Sequence, residues 1–268
     1  MNIVPLALYA AAFIGYALHF ARRTPVSARL ATTMLAAATL AHTFIIGMLT
    51  MQVGQVPVFD GPSASSMFVW LLAVAYLYTE VTTDERAMGV FILPLIIALQ
   101  VIPAFTTGAG GGVRSSVLRG PLFGIHVSSL LFAYASFALA CVIGITYVLL
   151  FKEIKTKHLG VFYARLPSLQ VLDQMNQRAI VVGWVFLTIG LVAGVVFAIE
   201  AQVPSMLSLE DPKIFVALIC WAVYSFELFA ARRIGWAGRR AAYLSAIGFA
   251  LVLLNFVPIS YITSTHKF

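Results

Sequence analysis

Charge is what this chain has least of. Only 10% of its 268 residues are Asp, Glu, Lys or Arg, and 61% are hydrophobic, whereas soluble domains carry about 25% charged residues. A water-soluble fold is thereby excluded, and the mean hydropathy of +0.97 agrees. Cysteine is nearly missing as well. Cys141 and Cys220 stand far apart inside apolar runs, so no CxxC redox centre exists, and both read as small packing residues rather than a disulfide. No HExxH, Walker A or GxSxG sequence occurs, which leaves zinc-protease, P-loop and serine-hydrolase chemistry without a motif. Gly108, Gly110, Gly111 and Gly112 lack the strand and βαβ unit that a dinucleotide fingerprint requires, so residues 107–121 read as a connector. With no internal repeat and no soluble segment, residues 1–268 are expected to form one membrane domain.

Long apolar runs are what the chain has. A hydrocarbon core of about 30 Å takes roughly 20 helical residues to cross. Runs of that order lie near 2–20, 31–52, 65–82, 88–106, 122–151, 179–200, 213–231 and 241–263. The expected fold is therefore an all-α, polytopic membrane helical bundle of about eight transmembrane helices. Pro94 and Pro103 interrupt the fourth run, a pattern that membrane helices tolerate when neighbours satisfy the freed carbonyls.

The net charge of +7 does not indicate a nucleic-acid partner, because the basic residues are dispersed over short loops. Alternate loops hold Arg22, Arg23 and Arg29, then Arg86, then Lys152, Lys155, Lys157, Arg165 and Arg178, then Arg232, Arg233, Arg239 and Arg240. Those loops carry 13 of the 17 basic residues. By the positive-inside rule they are cytoplasmic, which puts both termini outside. The first apolar run has no preceding basic region, so no cleavable signal peptide is expected. Within the cytoplasmic segment 152–178, an interfacial amphipathic helix is expected after Pro167. Gly190 and Gly194 form a GxxxG spacing that allows close helix approach within the bundle.

Ionisable groups inside a bilayer are costly and tend to mark function, so the five histidines are the residues to follow. His19 falls at the cytoplasmic end of the first run and His158 in the basic cytoplasmic loop. His126 begins the fifth run and His266 ends the eighth, both on the outer face. Two imidazoles at one depth on different helices can hold one iron from opposite sides; equally, each can cap its own interface. His42 falls near mid-span and is either a hydrogen-bonded helix contact or a second haem or proton site. Glu80, Glu200 and Glu227 lie close to loops, where carboxylates reach headgroups. On that reading the bundle holds no deep acid, which argues against an ion or small-molecule transporter.

Several segments together resemble the cytochrome c assembly proteins of the CcsA and CcmC type, and most of all the eight-span HemX and YpjD-like branch. Gln55-Val56-Pro57 followed by Ser65-Ser66-Met67-Phe68-Val69-Trp70 is similar to the family's outer loop and the helix it enters. Pro121 to Val127, with Tyr134, Ala135 and Phe137, is similar to its first outer histidine helix. Leu166-Pro167-Ser168-Leu169 with Leu172-Asp173 resembles its cytoplasmic "LPSL…LD" segment. Asp211-Pro212-Lys213, Trp221, Gly235-Trp236, Gly238-Arg239-Arg240-Ala241-Ala242 and Gly248-Phe249 resemble its closing hairpin.

The resemblance implies that His126 and His266 are axial ligands of a haem, taken as haem b, at the outer membrane face. Asp211 and Pro212 belong to a loop that helps hold it. It further implies a bacterial inner (plasma) membrane protein whose partners are haem, the lipid bilayer and a separate assembly subunit with a periplasmic domain. Such a protein binds and hands over haem, as a possible subunit of a cytochrome c synthase-type system and with no catalytic residue of its own. The HemX role, a regulatory or accessory protein acting on haem supply or on a partner complex, is the alternative. One stretch departs from the pattern: haem-handling relatives have a tryptophan-rich loop, approximately WGxxWxWDPKE, where this chain reads Pro204-Ser205-Met206-Leu207-Ser208-Leu209-Glu210 before Asp211. At the terminus, Thr265-His266-Lys267-Phe268 replaces Leu-His-Ser-Tyr.

Overall fold

Thr24 and Pro25 begin the second helix as local chemistry dictates: the Thr24 hydroxyl accepts the Ser27 N–H at 3.2 Å, and proline takes the first helical position, where no N–H is needed. Gly54, at φ +71°, ends the same helix in the left-handed region that glycine enters without strain. The computed structural model describes residues 3–58, 61–106, 120–157, 160–200, 212–236 and 238–256. Every regular element among them is helical: α1 (Ile3–Arg22), α2 (Pro25–Val53), α3 (Gly61–Thr83), α4 (Gly89–Phe105), α5 (Pro121–Thr156), α6 (Val161–Arg165), α7 (Leu169–Glu200), α8 (Pro212–Phe229) with a π-helical end (Ala230–Ile234), and α9 (Arg239–Phe256).

Helices occupy all eight expected positions, and six are long and apolar enough to cross a membrane. This is a multi-pass, all-α membrane protein. α4 runs unbroken through Pro94 and Pro103. Large apolar side chains such as Leu40, Phe44, Met51 and Phe105 point out of the bundle, where lipid, not water, is their solvent.

Two helix groups make up the bundle. α1 packs on α2 and α4, with α3 against α2 and α4; α5 packs on α7 and α9, and α8 on α7 and α9. The contact of α3 with α5 joins them. At 36 and 32 residues, α5 and α7 extend about 54 and 48 Å at 1.5 Å per residue. Both exceed the hydrocarbon thickness.

That length corrects one expectation. Residues after Pro167 do not form a separate interfacial helix; Leu169 starts α7 itself, and only the single turn of α6 stands apart. Leu172, Met175 and Asn176 are buried, because the first turns of α7 pack inside the bundle instead of lying on the membrane surface.

Arginines from the second group close helix ends in the first. Arg165 Nη1 donates to the carbonyls of Phe20 (3.1 Å) and Ala21 (2.8 Å) at the end of α1. Arg178 donates to the Thr82 carbonyl at the end of α3. Carbonyls at a helix C-terminus have no partner in their own helix, and a cation there also matches the dipole.

Candidate functional site: a histidine in a glycine notch

His126 lies in the second turn of α5, opposite the two glycines of α7. Its Nδ1 is 2.7 Å from the Gly190 carbonyl oxygen. A carbonyl only accepts, so Nδ1 carries the proton, and the lone pair is left on Nε2. Gly194, one turn further along α7, makes room for the ring: a Cβ placed there would sit 2.6 Å from both Nδ1 and Cε1 of His126. Gly190 meanwhile meets Leu130, where a Cβ would approach Cδ2 to 2.7 Å. The GxxxG spacing thus packs α7 on α5, as expected, and also forms a socket for an imidazole, which spacing alone does not reveal.

The surroundings of the socket are apolar. Phe123 of α5 and Phe197 of α7 pair at 5.6 Å between ring centroids. Beside the notch runs an open groove of about 390 Å³ lined by Leu122, Thr188, Ile189, Val192, Ala193 and Val196. The segment Gln55-Val56-Pro57 also reaches this end of α5, for a Cβ on Gly124 would meet Val56 Cγ2 at 3.0 Å. Two segments distant in sequence are therefore neighbours around His126.

The closing hairpin is fixed at its basic turn. Gly235 (φ +69°) and Gly238 (φ +68°) take left-handed conformations, and the Gly238 N–H donates to Asp173 Oδ1 at 2.7 Å. Arg239 lies over Phe151 and Arg240 over Trp236, at 5.3 and 5.2 Å from the ring centroids. Further along, the Trp184 indole N–H donates to Ser225 (2.7 Å) and that of Trp221 to Thr188 (3.0 Å). α8 is thus held against the helix that carries the notch. Pro212 is the first residue of α8; His266 and Asp211, like His158, lie outside the described residues.

His42 belongs to the first helix group. It is fully buried, with Nδ1 3.1 Å from the Tyr9 hydroxyl and Nε2 3.0 Å from Ser66 Oγ. Of its two expected roles, the hydrogen-bonded helix contact is the one this geometry presents. Replacing His42 with leucine removes the imidazole partner of the Tyr9 and Ser66 hydroxyls and is expected to lower unfolding stability by about 1–3 kcal/mol; detergent-induced unfolding of the purified protein measures it. His19, half-buried at the end of α1, is 3.2 Å from Ser27 Oγ.

For two glutamates, nearness to a loop does not mean exposure. Glu80 and Glu227 do not reach headgroups: they are 0% and 1% exposed, whereas Glu200 is exposed as expected. Glu80 Oε2 accepts the Tyr16 hydroxyl and Oε1 the Thr32 hydroxyl at 2.6 Å, and the Arg86 guanidinium bonds the same Thr32 at 3.1 Å. Glu227 Oε1 accepts the Ser245 hydroxyl at 2.9 Å. Carboxylates so deep need donors from distant helices, and no local signal announces those.

Comparison with known proteins gives the family. The family profile described as cytochrome C assembly protein matches residues 3–266. The chain belongs to the cytochrome c assembly protein family. Relatives include cytochrome c biogenesis protein CcsA of Guillardia theta, 27% identical over 86% of this chain and 81% of the relative. CcsA of Heterosigma akashiwo is 27% identical over 72% and 70%, and CcsA of Gloeobacter violaceus is 23% identical over 96% and 92%. Within this family His126 is the one expected outer histidine among the described residues. The assembly-protein chain holds it in a socket built by two glycines.

Proposed function

We propose that this chain acts in cytochrome c assembly by binding haem at the outer membrane face, with His126 and His266 as axial ligands. The observation that carries the reading is the His126 socket. A histidine whose Nδ1 is tied to a backbone carbonyl presents Nε2 in a fixed direction, the arrangement that metal-binding imidazoles use. Its half-buried position beside an apolar groove and a phenylalanine pair suits a flat, mostly apolar macrocycle with one polar axial contact.

Haem, once bound, supplies the iron and its redox chemistry, for which the protein's levers are axial ligand identity and surrounding polarity. This chain's own residues do the rest. Gly190 holds the Nδ1 proton, Gly194 leaves the ring its space, and Phe123 and Phe197 keep that end of the helix pair apolar. His42, already bonded at both nitrogens, is assigned a structural role. The protein is placed in a bacterial plasma membrane with both termini outside, and a separate subunit with a periplasmic domain is the expected partner. A HemX-like accessory role is the second reading. The loop before Asp211 favours it, since it contains no tryptophan to stack on a porphyrin.

The test is spectroscopic. Protein purified with added haem is expected to show a six-coordinate, bis-histidine absorption spectrum that the double variant His126→Ala/His266→Ala loses along with most of its haem. Equal occupancy and identical spectra in the two proteins would remove the ligand assignment. In a strain lacking the gene, unchanged covalent c-type cytochromes with altered haem intermediates would favour the accessory reading.

A further inference from the structure

The junction of α7, α8 and α9 contains two buried acceptors that nothing among the described residues satisfies. Asn176 Nδ2 donates to Ser245 Oγ at 2.9 Å, and the Ser245 hydroxyl reaches Glu227 Oε1 at 2.9 Å. The other oxygen of each side chain, Asn176 Oδ1 and Glu227 Oε2, has no partner among the described residues. Asn176 is 3% exposed, Glu227 1% and Ser245 0%. Glu80 is the internal control. Its two oxygens take the Tyr16 and Thr32 hydroxyls, with a guanidinium bonded to Thr32; Glu227 has one hydroxyl and no cation.

Among the described residues, none of the charged or titratable groups around the junction bonds Glu227 Oε2 or Asn176 Oδ1; Arg232 and Arg233, on the π-helical end of α8, are exposed. Asp173 on α7 takes the Gly238 N–H, and the Tyr224 hydroxyl contacts the Ser245 carbonyl at 3.5 Å. Cys220 and Cys141 lie near that tyrosine. Arg239 and Arg240 cover Phe151 and Trp236. Tyr147 faces Gly238. Among the described residues the one ion pair is Arg86–Asp84, in the other helix group. A bare carboxylate in a low-dielectric interior pays a desolvation penalty that one hydroxyl bond does not offset.

We propose that this junction is a binding site for a single small cation, a proton or an alkali-metal ion, held by Glu227 Oε2 and Asn176 Oδ1. Either occupant neutralises the buried Glu227 carboxylate, a proton by converting it to a carboxylic acid whose O–H can donate and an alkali ion by charge pairing. The site lies at the end of α8 next to the basic turn, and α7, which provides Asn176, is also the helix that carries the His126 notch. An ion held here therefore ties the hairpin to the helix that positions that histidine. The inference is independent of haem binding.

Infrared spectroscopy and thermal melting of the full chain in lipid nanodiscs test it. If a proton fills the site, the wild type shows the C=O band of a neutral carboxylic acid near neutral pH, shifted down in heavy water, lost in Glu227→Gln and kept in Glu80→Gln. If an alkali ion fills it, that band is missing and the melting temperature rises when choline is replaced by Na⁺ or K⁺, a response abolished in Glu227→Gln. Either result supports the site and names its occupant. Ser245→Ala, which withdraws the one donor, is expected to raise the band frequency or weaken the salt response. The proposal is overturned if wild type and Glu227→Gln give the same carbonyl spectrum and neither responds to Na⁺ or K⁺. It is equally overturned if Ser245→Ala moves neither readout.

Discussion

Gly194→Leu is expected to weaken haem binding roughly 10- to 100-fold, the range that loss of an outer-sphere partner produces at metal-binding imidazoles. The cause is steric. A Cβ at position 194 would already lie 2.6 Å from Nδ1 and Cε1 of His126, well inside van der Waals contact, and α7 is packed along its length on α5. The imidazole is the mobile partner, so it must rotate away and give up its bond to the Gly190 carbonyl. Gly194→Ala is expected to show a smaller loss of the same kind. Gly47→Ala is the control, because nothing lies within 4 Å of a Cβ there. Haem titration followed by absorbance gives the affinities, and circular dichroism confirms that each variant stays helical. Unchanged affinity in Gly194→Leu would mean that the notch does not position a ligand.

Glu80→Ala is the change expected to cost the fold most, about 3–5 kcal/mol from the lost acceptor of the buried Tyr16 hydroxyl and a cavity, while Thr32 keeps the Ala28 carbonyl. Tyr16 belongs to α1, Thr32 to α2 and Glu80 to α3, so one carboxylate joins three helices. Its removal leaves the Tyr16 hydroxyl, on a fully buried side chain, without its acceptor. Glu80→Gln keeps an acceptor oxygen and is expected to retain most of the stability. Reversible unfolding in mixed micelles separates the two variants. Equal stability of Glu80→Ala and wild type would show that the cluster contributes nothing to the bundle.

The spans were legible because hydropathy is a property of consecutive residues. The unbroken course of α4 was not, since Pro94 and Pro103 read as interruptions and only the packing of neighbours decides whether the helix continues. The start of α7 was not, because Leu169, Leu172 and Met175 have the spacing of an interfacial helix, and only tertiary packing decides that they turn inward. Glu80 and Glu227 failed for a related reason. Few residues separate each from a loop, but Tyr16 is 64 positions from Glu80, and no local pattern encodes that pairing. At the candidate site the sequence identified His126 and the glycine pair separately. Their union is a statement about facing helices, which the α5–α7 contact supplies and a linear reading does not. The same holds for Asp173, recognisable as a motif residue, whose task is to receive the Gly238 N–H of a turn 65 positions away.

The arginines that close α1 and α3 bear on how the chain is made. Residues 20, 21 and 82 leave the ribosome long before Arg165 and Arg178, so the end carbonyls of α1 and α3 reach the membrane without their final donors. Until α6 and α7 have been synthesised, those carbonyls have only interfacial water. The first four helices can therefore insert early, but the ends of α1 and α3 are closed only when the second group arrives. Insertion order and final packing are thereby linked: the later half of the polypeptide completes the earlier half.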